Sequence, residues 1–189
     1  MSETLKTLFA PDEIAYTGEQ LQSLWAYRTF GLSGDSMVAF VGPCDVKPEF
    51  MRDMEDLKTG ARIFSERMLH FIAEHFDADL DRAVWRQRVL MALIAERLNA
   101  RLGAPRVRRV GDDLFDGDRK LSVSIATVSP VSALIHAGLN MSRENTPVPT
   151  CALRDYDVEA RAFGREILEA YQEECVGARH ARSKVRPSD

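Results

Sequence analysis

The chain has 189 residues, 45% of them hydrophobic and 29% charged, with a formal net charge of -4. That composition excludes a disordered or fibrous chain and supports one sizeable core, read as a single globular domain over 1–176 with a basic, flexible tail over 177–189. The mild acidity argues against a nucleic-acid partner. The basic tract from Arg179 to Arg186 sits among Gly, Ser and Pro, where a frayed end outweighs a binding arm.

Cys44, Cys151 and Cys175 form no CxxC pair and favour a reducing compartment over a disulfide framework or zinc ribbon. The segment Met1-Ser2-Glu3-Thr4-Leu5-Lys6 lacks the apolar stretch of a secretory signal. No run approaches the roughly 18 apolar residues of a membrane helix. The expectation is a cytoplasmic protein without membrane contact.

In chain order, Thr17 with Gln20 in capping-box spacing predicts a first helix that presents Leu21, Leu24 and Trp25 and stops at Gly31. The apolar run Met37-Val38-Ala39-Phe40-Val41, closed by Gly42-Pro43, predicts a buried strand that delivers Cys44 and Asp45 to its end. Residues 50–76 are ambiguous: Phe64, Met68, Phe71, Ile72 and His75 fit a helical face, while 68–76 also reads as a strand. Helix is favoured for the first part only.

The clearest helix runs from about Asp81 to Leu102, opened by Asp77, Asp79 and Asp81 and stopped by Gly103 and Pro105. Its apolar residues spread over more than one face, which predicts a central position. A short strand near 107–110, a hairpin across 112–128 turning at Asp116-Gly117-Asp118, and a strand over 131–140 follow. Thr146-Pro147-Val148-Pro149 predicts an extended loop. A last helix from about Asp157 to Cys175 groups Phe163, Ile167, Ala170 and Tyr171. The pattern is α+β, a mixed sheet flanked by helices.

Within the hairpin, Lys120, Ser122 and Ser124 alternate with Leu121, Val123 and Ile125, which predicts a wet face carrying the lysine and an apolar face turned to the core. A lysine after a turn is commonly solvated. Presented on such a strand, it can instead neutralise a carboxylate or phosphate and stabilise charge developing during acyl transfer. Gly111-Asp112-Asp113 either initiates the turn or holds Mg²⁺ beside a nucleotide.

His136 shares a strand face with Gly138 and Asn140, and Gly138 suggests close approach by a ligand or another backbone. Cys44, in Gly42-Pro43-Cys44-Asp45, is weighed as an acyl acceptor against a structural cysteine. The spacing of His70, Glu74 and His75 fits no zinc signature, so a metal there is the minor reading. No Walker loop or GxGxxG is present.

The segment Gly117-Asp118-Arg119-Lys120-Leu121-Ser122-Val123-Ser124 resembles the strand of lipoate and biotin protein ligases that carries their essential lysine in a "grKxSGSA"-like motif. Asp112-Asp113 resembles the Asn-Asp pair before that strand, and Ile135-His136-Ala137-Gly138-Leu139 the "HHGtLL" strand after it, over about 30 residues in the same order. Across the whole chain, Gly42 to Val46, His70 to Phe76, Gly111 to Leu114 and Lys120 to Ser129 resemble the family called "domain of unknown function 366" more closely, and that family names no reaction.

The ligase resemblance implies a sheet related to class II synthetases, with ATP and Mg²⁺ as cofactors. It also implies a carboxylic acid as small-molecule ligand, an acceptor protein as partner, and contact between Lys120 and the carboxylate or acyl phosphate. A homo-oligomer stays open. The ligases' Arg-Arg-x-Ser-Gly-Gly-Gly loop has no counterpart; Gly42-Pro43-Cys44-Asp45, with Glu55, Asp56 and Arg88, is the candidate substitute.

Two functions follow. One is an acyl-transfer or adenylate-forming enzyme with Lys120, Asp113 and Cys44 in catalysis, and Gly42, Asp45, Gly111, Asp112, Ser122, Ser124, His136, Gly138 and Asn140 binding ligand. The other is a non-catalytic binding protein that keeps the pocket.

Overall fold

Chain order in the computed structural model, which describes residues 4–146 and 148–188, begins with β1 (Lys6–Phe9), α1 (Trp25–Phe30), β2 (Ser36–Asp45) and α2 (Met54–Thr59). Next come β3 (Phe64–His75), α3 (Leu80–Leu102), β4 (Val107–Val110) and β5 (Asp113–Asp116). The chain closes with β6 (Arg119–Lys120), β7 (Ser122–Val128), β8 (Ala133–Asn140) and α4 (Ala160–Ser183). The readings that involve Met1, Ser2, Glu3 and Pro147 lie outside the described residues. No helix among the described residues is long and apolar enough to cross a membrane.

The apolar run at Met37–Val41 becomes the middle of β2, and its side chains divide by parity, as strand geometry requires. Met37, Ala39 and Val41 join one apolar cluster, while Val38 and Phe40 join a second on the opposite face. The main sheet has the order β1-β2-β3-β8-β7, with β1 parallel to β2 and the remaining pairs antiparallel, so it is mixed. A smaller antiparallel sheet, β4-β5-β6, stands beside it.

Helices α3 and α4 cover one face, burying Leu90, Ile94, Leu98, Phe163, Ile167 and Tyr171 against Leu69, Phe71, Ile135 and Leu139. The segment before β2 crosses the other face, where Tyr16, Trp25 and Ala26 pack on Phe40, Met68 and Ile72. Backbone bonds from Ala10, Ile14 and Tyr16 to the carbonyls of Ala39, Val41 and Pro43 seat it along β2.

Several expectations change in position. Gln20 accepts the Thr17 N–H at 3.0 Å, as capping-box spacing predicts, yet helix begins only at Trp25. Leu24 sits at φ 64°, a left-handed conformation that a helix cannot pass through, and its N–H is held by the Glu74 carboxylate at 2.9 Å. The ambiguous stretch 50–76 contains one short helix, α2, capped by Asp53, and then the long strand β3. Because β3 is covered on both faces, its apolar residues show no alternation that would mark a strand.

Helix α3 is not central: one side packs inward, and Trp85 on the other is 72% exposed. Helix α4 runs past Cys175 to Ser183, with Arg179 bound to Asp35 at 2.6 Å, so the basic tract starts as docked helix. The predicted 112–128 hairpin is two structures. Strands β5 and β6 turn back at Gly117, whose φ is 60°, and after Leu121 the chain enters the main sheet as β7 beside β8.

Gly42 marks the tightest approach along β2. A Cβ built there would lie 2.0 Å from the Ile14 carbonyl oxygen, a backbone atom of the crossing segment. The variant Gly42→Ala is expected to lose at least about 1–3 kcal/mol, the usual range for overpacking. The check is urea denaturation, where an unchanged midpoint would show that the crossing segment is loosely seated.

Candidate functional site

The β7–β8 register decides what each side chain of the lysine segment faces. Val123 lies opposite Gly138 and Ile125 opposite His136, so Val123 and Ile125 point to the face of the sheet away from α3 and α4. Ser122 and Ser124 point toward α3. Ser124 Oγ accepts from Gln87 Nε2 at 2.7 Å and donates to the Asp112 carbonyl at 2.7 Å. Ser122, fully buried, accepts the Leu114 N–H at 2.8 Å.

Within β7 the serines therefore face α3 and the aliphatic pair the opposite side, while Leu121, just before the strand, is buried in the core and Lys120 is partly exposed, as expected. The cause of the serines' direction lies at the junction of the sheets, where the Leu114 N–H and Asp112 carbonyl need partners and the two serines supply them.

Lys120 ends β6 with a fixed backbone. Its N–H donates to the Pro149 carbonyl at 2.9 Å, and its own carbonyl accepts from Cys151 N–H at 3.0 Å and Asn140 Nδ2 at 3.3 Å. From that anchor its ammonium reaches Asp113 Oδ2 at 2.8 Å, with both side chains partly exposed. Burial raises the Asp113 carboxyl above its ordinary range; the Lys120 ammonium opposes that rise, while Asp112 and Asp56 reinforce it. The Asp56 carboxyl is raised by burial and by Asp53, again against Lys120. Asp112 is bound by Arg88 at 3.2 Å.

Beyond Asn140 along β8 lies a buried aromatic group. His70 Nδ1 and His136 Nε2 are 3.1 Å apart, and His70 Nε2 is 3.3 Å from the Gly42 carbonyl oxygen. Tyr16 stacks on His136 with ring centroids 3.8 Å apart and planes inclined by 9°. Burial holds both imidazoles below their ordinary pKa, and His70 lowers His136 further. Tyr16 and His136 of this group border a cavity of about 320 Å³, lined also by Asp56, Asp113, Lys120 and Ile125 among others. A volume near 300 Å³ suits a small organic ligand.

Over residues 5–186 the sequence matches the family described as "Domain of unknown function (DUF366)". The chain belongs to the DUF366 family. An uncharacterized protein of Methanocaldococcus jannaschii is 36% identical over 183 residues, which are 92% of this chain and 80% of the relative. A solved structure titled as a protein of unknown function from Pyrococcus horikoshi is similar with a TM-score of 0.93 and 38% identity, covering 98% of this chain and all of that one.

Two more distant structures share the fold. A putative lipoate protein ligase from T. acidophilum with bound lipoic acid has a TM-score of 0.59 at 15% identity, covering 92% of this chain and 86% of that one. A biotin protein ligase from Aquifex aeolicus has 0.58 at 14%, covering 93% and 70%. The α+β, ligase-like sheet expected from the sequence is the fold of this DUF366 chain.

Within the DUF366 chain, Lys120, Asp112, Asp113, Ser122, Ser124, His136 and Asn140 all border the cavity. Five other sequence candidates serve the fold instead. Gly42 makes room for Ile14, and Gly138 makes room for Met68 and His70, whose atoms would lie 3.0 and 3.4 Å from an added Cβ. Gly111 turns β4 into β5 at φ 62°.

Asp45 is exposed and pairs with Arg62 at 3.3 Å. Cys44 is fully buried in the second apolar cluster, and burial, with Asp45 adding, pushes its thiol up to about 12, which leaves it a poor nucleophile near neutral pH. The Gly42-Pro43-Cys44-Asp45 segment is strand, so it forms no binding loop.

A further wall of the cavity comes from the connection between β2 and β3. It contributes Phe50, Arg52, Asp53, Asp56 and Arg62, of which the sequence reading singled out only Asp56. The available clue was Asp53, an N-cap type residue just before the acidic pair Glu55-Asp56. Nothing in the sequence marked Tyr16.

His70 and Glu74 share a face and His75 takes the other. Glu74 is occupied by Leu24 N–H and by the Ser132 hydroxyl at 2.7 Å, and His75 by the Tyr171 hydroxyl at 2.9 Å. Among the described residues no group of three or more His, Cys, Asp or Glu is placed to hold a metal. Asp112 and Asp113 each have a side-chain cation, Arg88 and Lys120, where an Mg²⁺ ion would have to sit, so the pair does not fit the Mg²⁺ expectation.

The histidine pair sets a pH dependence of stability. The unfolded chain binds protons at the ordinary imidazole pKa near 6.5 and the folded pair does not, so the unfolded state gains protons first as pH falls. Stability is expected to be complete above about pH 6.5 and to decline below it, by on the order of 1 kcal/mol per pH unit for each imidazole. Urea midpoints taken from pH 7.5 to 5 check this. His136→Phe, with one imidazole fewer, should give the shallower decline, and an equal slope would remove the pair as its source.

Proposed function

We propose that this protein is a cytoplasmic small-molecule enzyme of acyl-transfer or adenylate-forming type, acting on a carboxylic acid or its activated form, with an acceptor protein receiving the acyl group. One observation carries the reading. The Lys120 backbone is held from three directions while its ammonium stands at a cavity wall, paired with a carboxylate whose own acidity is already weakened. The shared fold of the lipoate and biotin ligases is consistent with it and adds no residue roles.

The chemistry follows from exchange of partners. A ligand carboxylate entering the cavity competes with Asp113 for the ammonium, and charge-assisted hydrogen bonds of this kind contribute about 1.5–3 kcal/mol. When Lys120 turns to the ligand, Asp113 loses the charge that opposes its rise, while burial, Asp112 and Asp56 still act on it. The ligand's negative charge then takes the place of that of Asp113 beside the lysine. In the reaction, Lys120 stabilises negative charge on the carboxyl or acyl oxygen.

Arg52 and Arg62 also line the cavity, Arg62 paired with Asp45. Cys44 has no part in this scheme.

A second reading, a binding protein without turnover, is favoured by the β2–β3 connection. The ligases' glycine-rich loop has no counterpart, and this connection brings to the cavity a short helix capped by Asp53 and bearing Asp56.

Incubation with ATP and a panel of carboxylic acids, followed by pyrophosphate release, separates the two. Release with at least one acid, lost in Lys120→Ala, is the outcome expected for the enzyme. No release with any acid, together with acid binding that survives Lys120→Ala, would sink it. Lys120→Ala should weaken the acid by roughly 10- to 100-fold, the equivalent of one charge-assisted hydrogen bond.

A further inference from the structure

Three groups in series fix the protons of the buried imidazoles. The Gly42 carbonyl can only accept, so His70 Nε2, 3.3 Å from it, carries hydrogen. A neutral imidazole has one N–H, so His70 Nδ1 presents its lone pair. The partner at 3.1 Å, His136 Nε2, must then donate to it. That assignment leaves the lone pair of His136 on Nδ1.

His136 is 2% exposed and lines the cavity, and its Nδ1 takes part in no hydrogen bond among the described residues. The Tyr16 ring stacked on one side holds the imidazole plane in place. Burial keeps both rings neutral, which is the condition the series requires.

We infer that His136 is a specificity-determining residue whose Nδ1 is a fixed hydrogen-bond acceptor in the cavity wall, selecting ligands that bring a neutral N–H or O–H donor to that end. A carboxylate, which has only lone pairs to offer, is turned away from it and toward Lys120. His136 and Asn140, the residue bonded to the Lys120 carbonyl, are separated by roughly 14 Å of strand at about 3.4 Å per residue. Val123 and Ile125 of the neighbouring strand border the cavity as well. The ligand class is therefore a carboxylic acid with an apolar middle and an uncharged donor group at its far end.

Water can satisfy Nδ1 while the cavity is open. A ligand that displaces it without a donor leaves a buried acceptor unpaired, a penalty of about tenfold or more in affinity.

This inference deepens the acid-binding reading and can fail separately from it, because the test uses probes without a carboxylate. Two fragments are titrated into the full chain, δ-valerolactam, which has one N–H, and its N-methyl derivative, which has none. Histidine ¹⁵N resonances are followed by long-range proton–nitrogen NMR. In the free protein the expected result is an unprotonated Nδ1 and a protonated Nε2 on His136 near neutral pH.

The lactam should shift the Nδ1 resonance and bind about tenfold or more tightly than the N-methyl compound, and His136→Phe should abolish the preference. A protonated Nδ1 in the wild-type chain, comparable binding of both fragments, binding of neither, or a preference that persists in His136→Phe would each overturn the inference. The tautomer measurement needs no variant. Lactam selectivity without binding of any acid would sink the carboxylate reading and leave this one standing.

Discussion

Strands β2, β3 and β8 are covered on both faces, and this is the constraint on which the rest of the structure depends. A polar group there cannot turn to bulk solvent, so it needs an internal partner or a wet cavity. β3 shows the consequence most clearly. His70 is bonded to Gly42 and His136, Glu74 to Leu24 and Ser132, and His75 to Tyr171 and Asp35. Each pairing ties β3 to a different part of the chain. Glu74 holds the left-handed turn that starts α1, and His75 faces α4, where Arg179 shares Asp35. The His70–His136 pair supports one end of the cavity. Polar groups that look like a metal site in sequence are thereby consumed as internal fasteners.

The second organising feature is the passage of the chain from the small sheet to the large one at Leu121. Its N–H bonds to the Leu114 carbonyl in β5, and its carbonyl accepts the Asn140 N–H in β8, so one residue belongs to both ladders. The junction places Lys120 at the last position of one sheet while Val123 and Ile125 line the cavity from the other. It also explains why so many backbone bonds converge on Lys120. A lysine at the end of an ordinary hairpin would be free to fray, whereas this one is braced by the loop at Pro149 and Cys151 and by the Asn140 side chain. Electrostatics and topology meet at the same residue, and that convergence gives the cavity its candidate chemistry.

Much of the framework was legible in the sequence. The Asp79 cap and Gly103 stop placed α3 closely, and the β4 and β8 segments were read nearly in full. Segments without periodicity were harder. β3 carries apolar residues on both faces, so it alternates no more clearly than a helix, and β1 is too short to leave a pattern. Lys120, Asp113, His136 and Asn140, singled out by residue type and order, all border the cavity. Tyr16 and Arg52 were missed because their roles arise from segments that fold over the sheet from far away in sequence. Gly42 was read as part of a binding loop, and Gly138 as a close approach by a ligand or another backbone. A glycine reports only that something comes close, and here the neighbours are Ile14 and the side chains of Met68 and His70.

The sequence by itself determined which residues share a strand face, since parity along a strand is local and set by backbone geometry. It could not decide which way each of the two faces would turn. In β7 the serines looked wet and the aliphatics dry. The hydroxyls of Ser124 and Ser122 turn inward to Gln87, Asp112 and Leu114, while Val123 and Ile125 point to the opposite face, and all four residues border the cavity. That choice depends on where α3 packs and on the backbone groups exposed at the sheet junction. Both are long-range consequences of tertiary folding, so the local alternation of polar and apolar residues does not encode them.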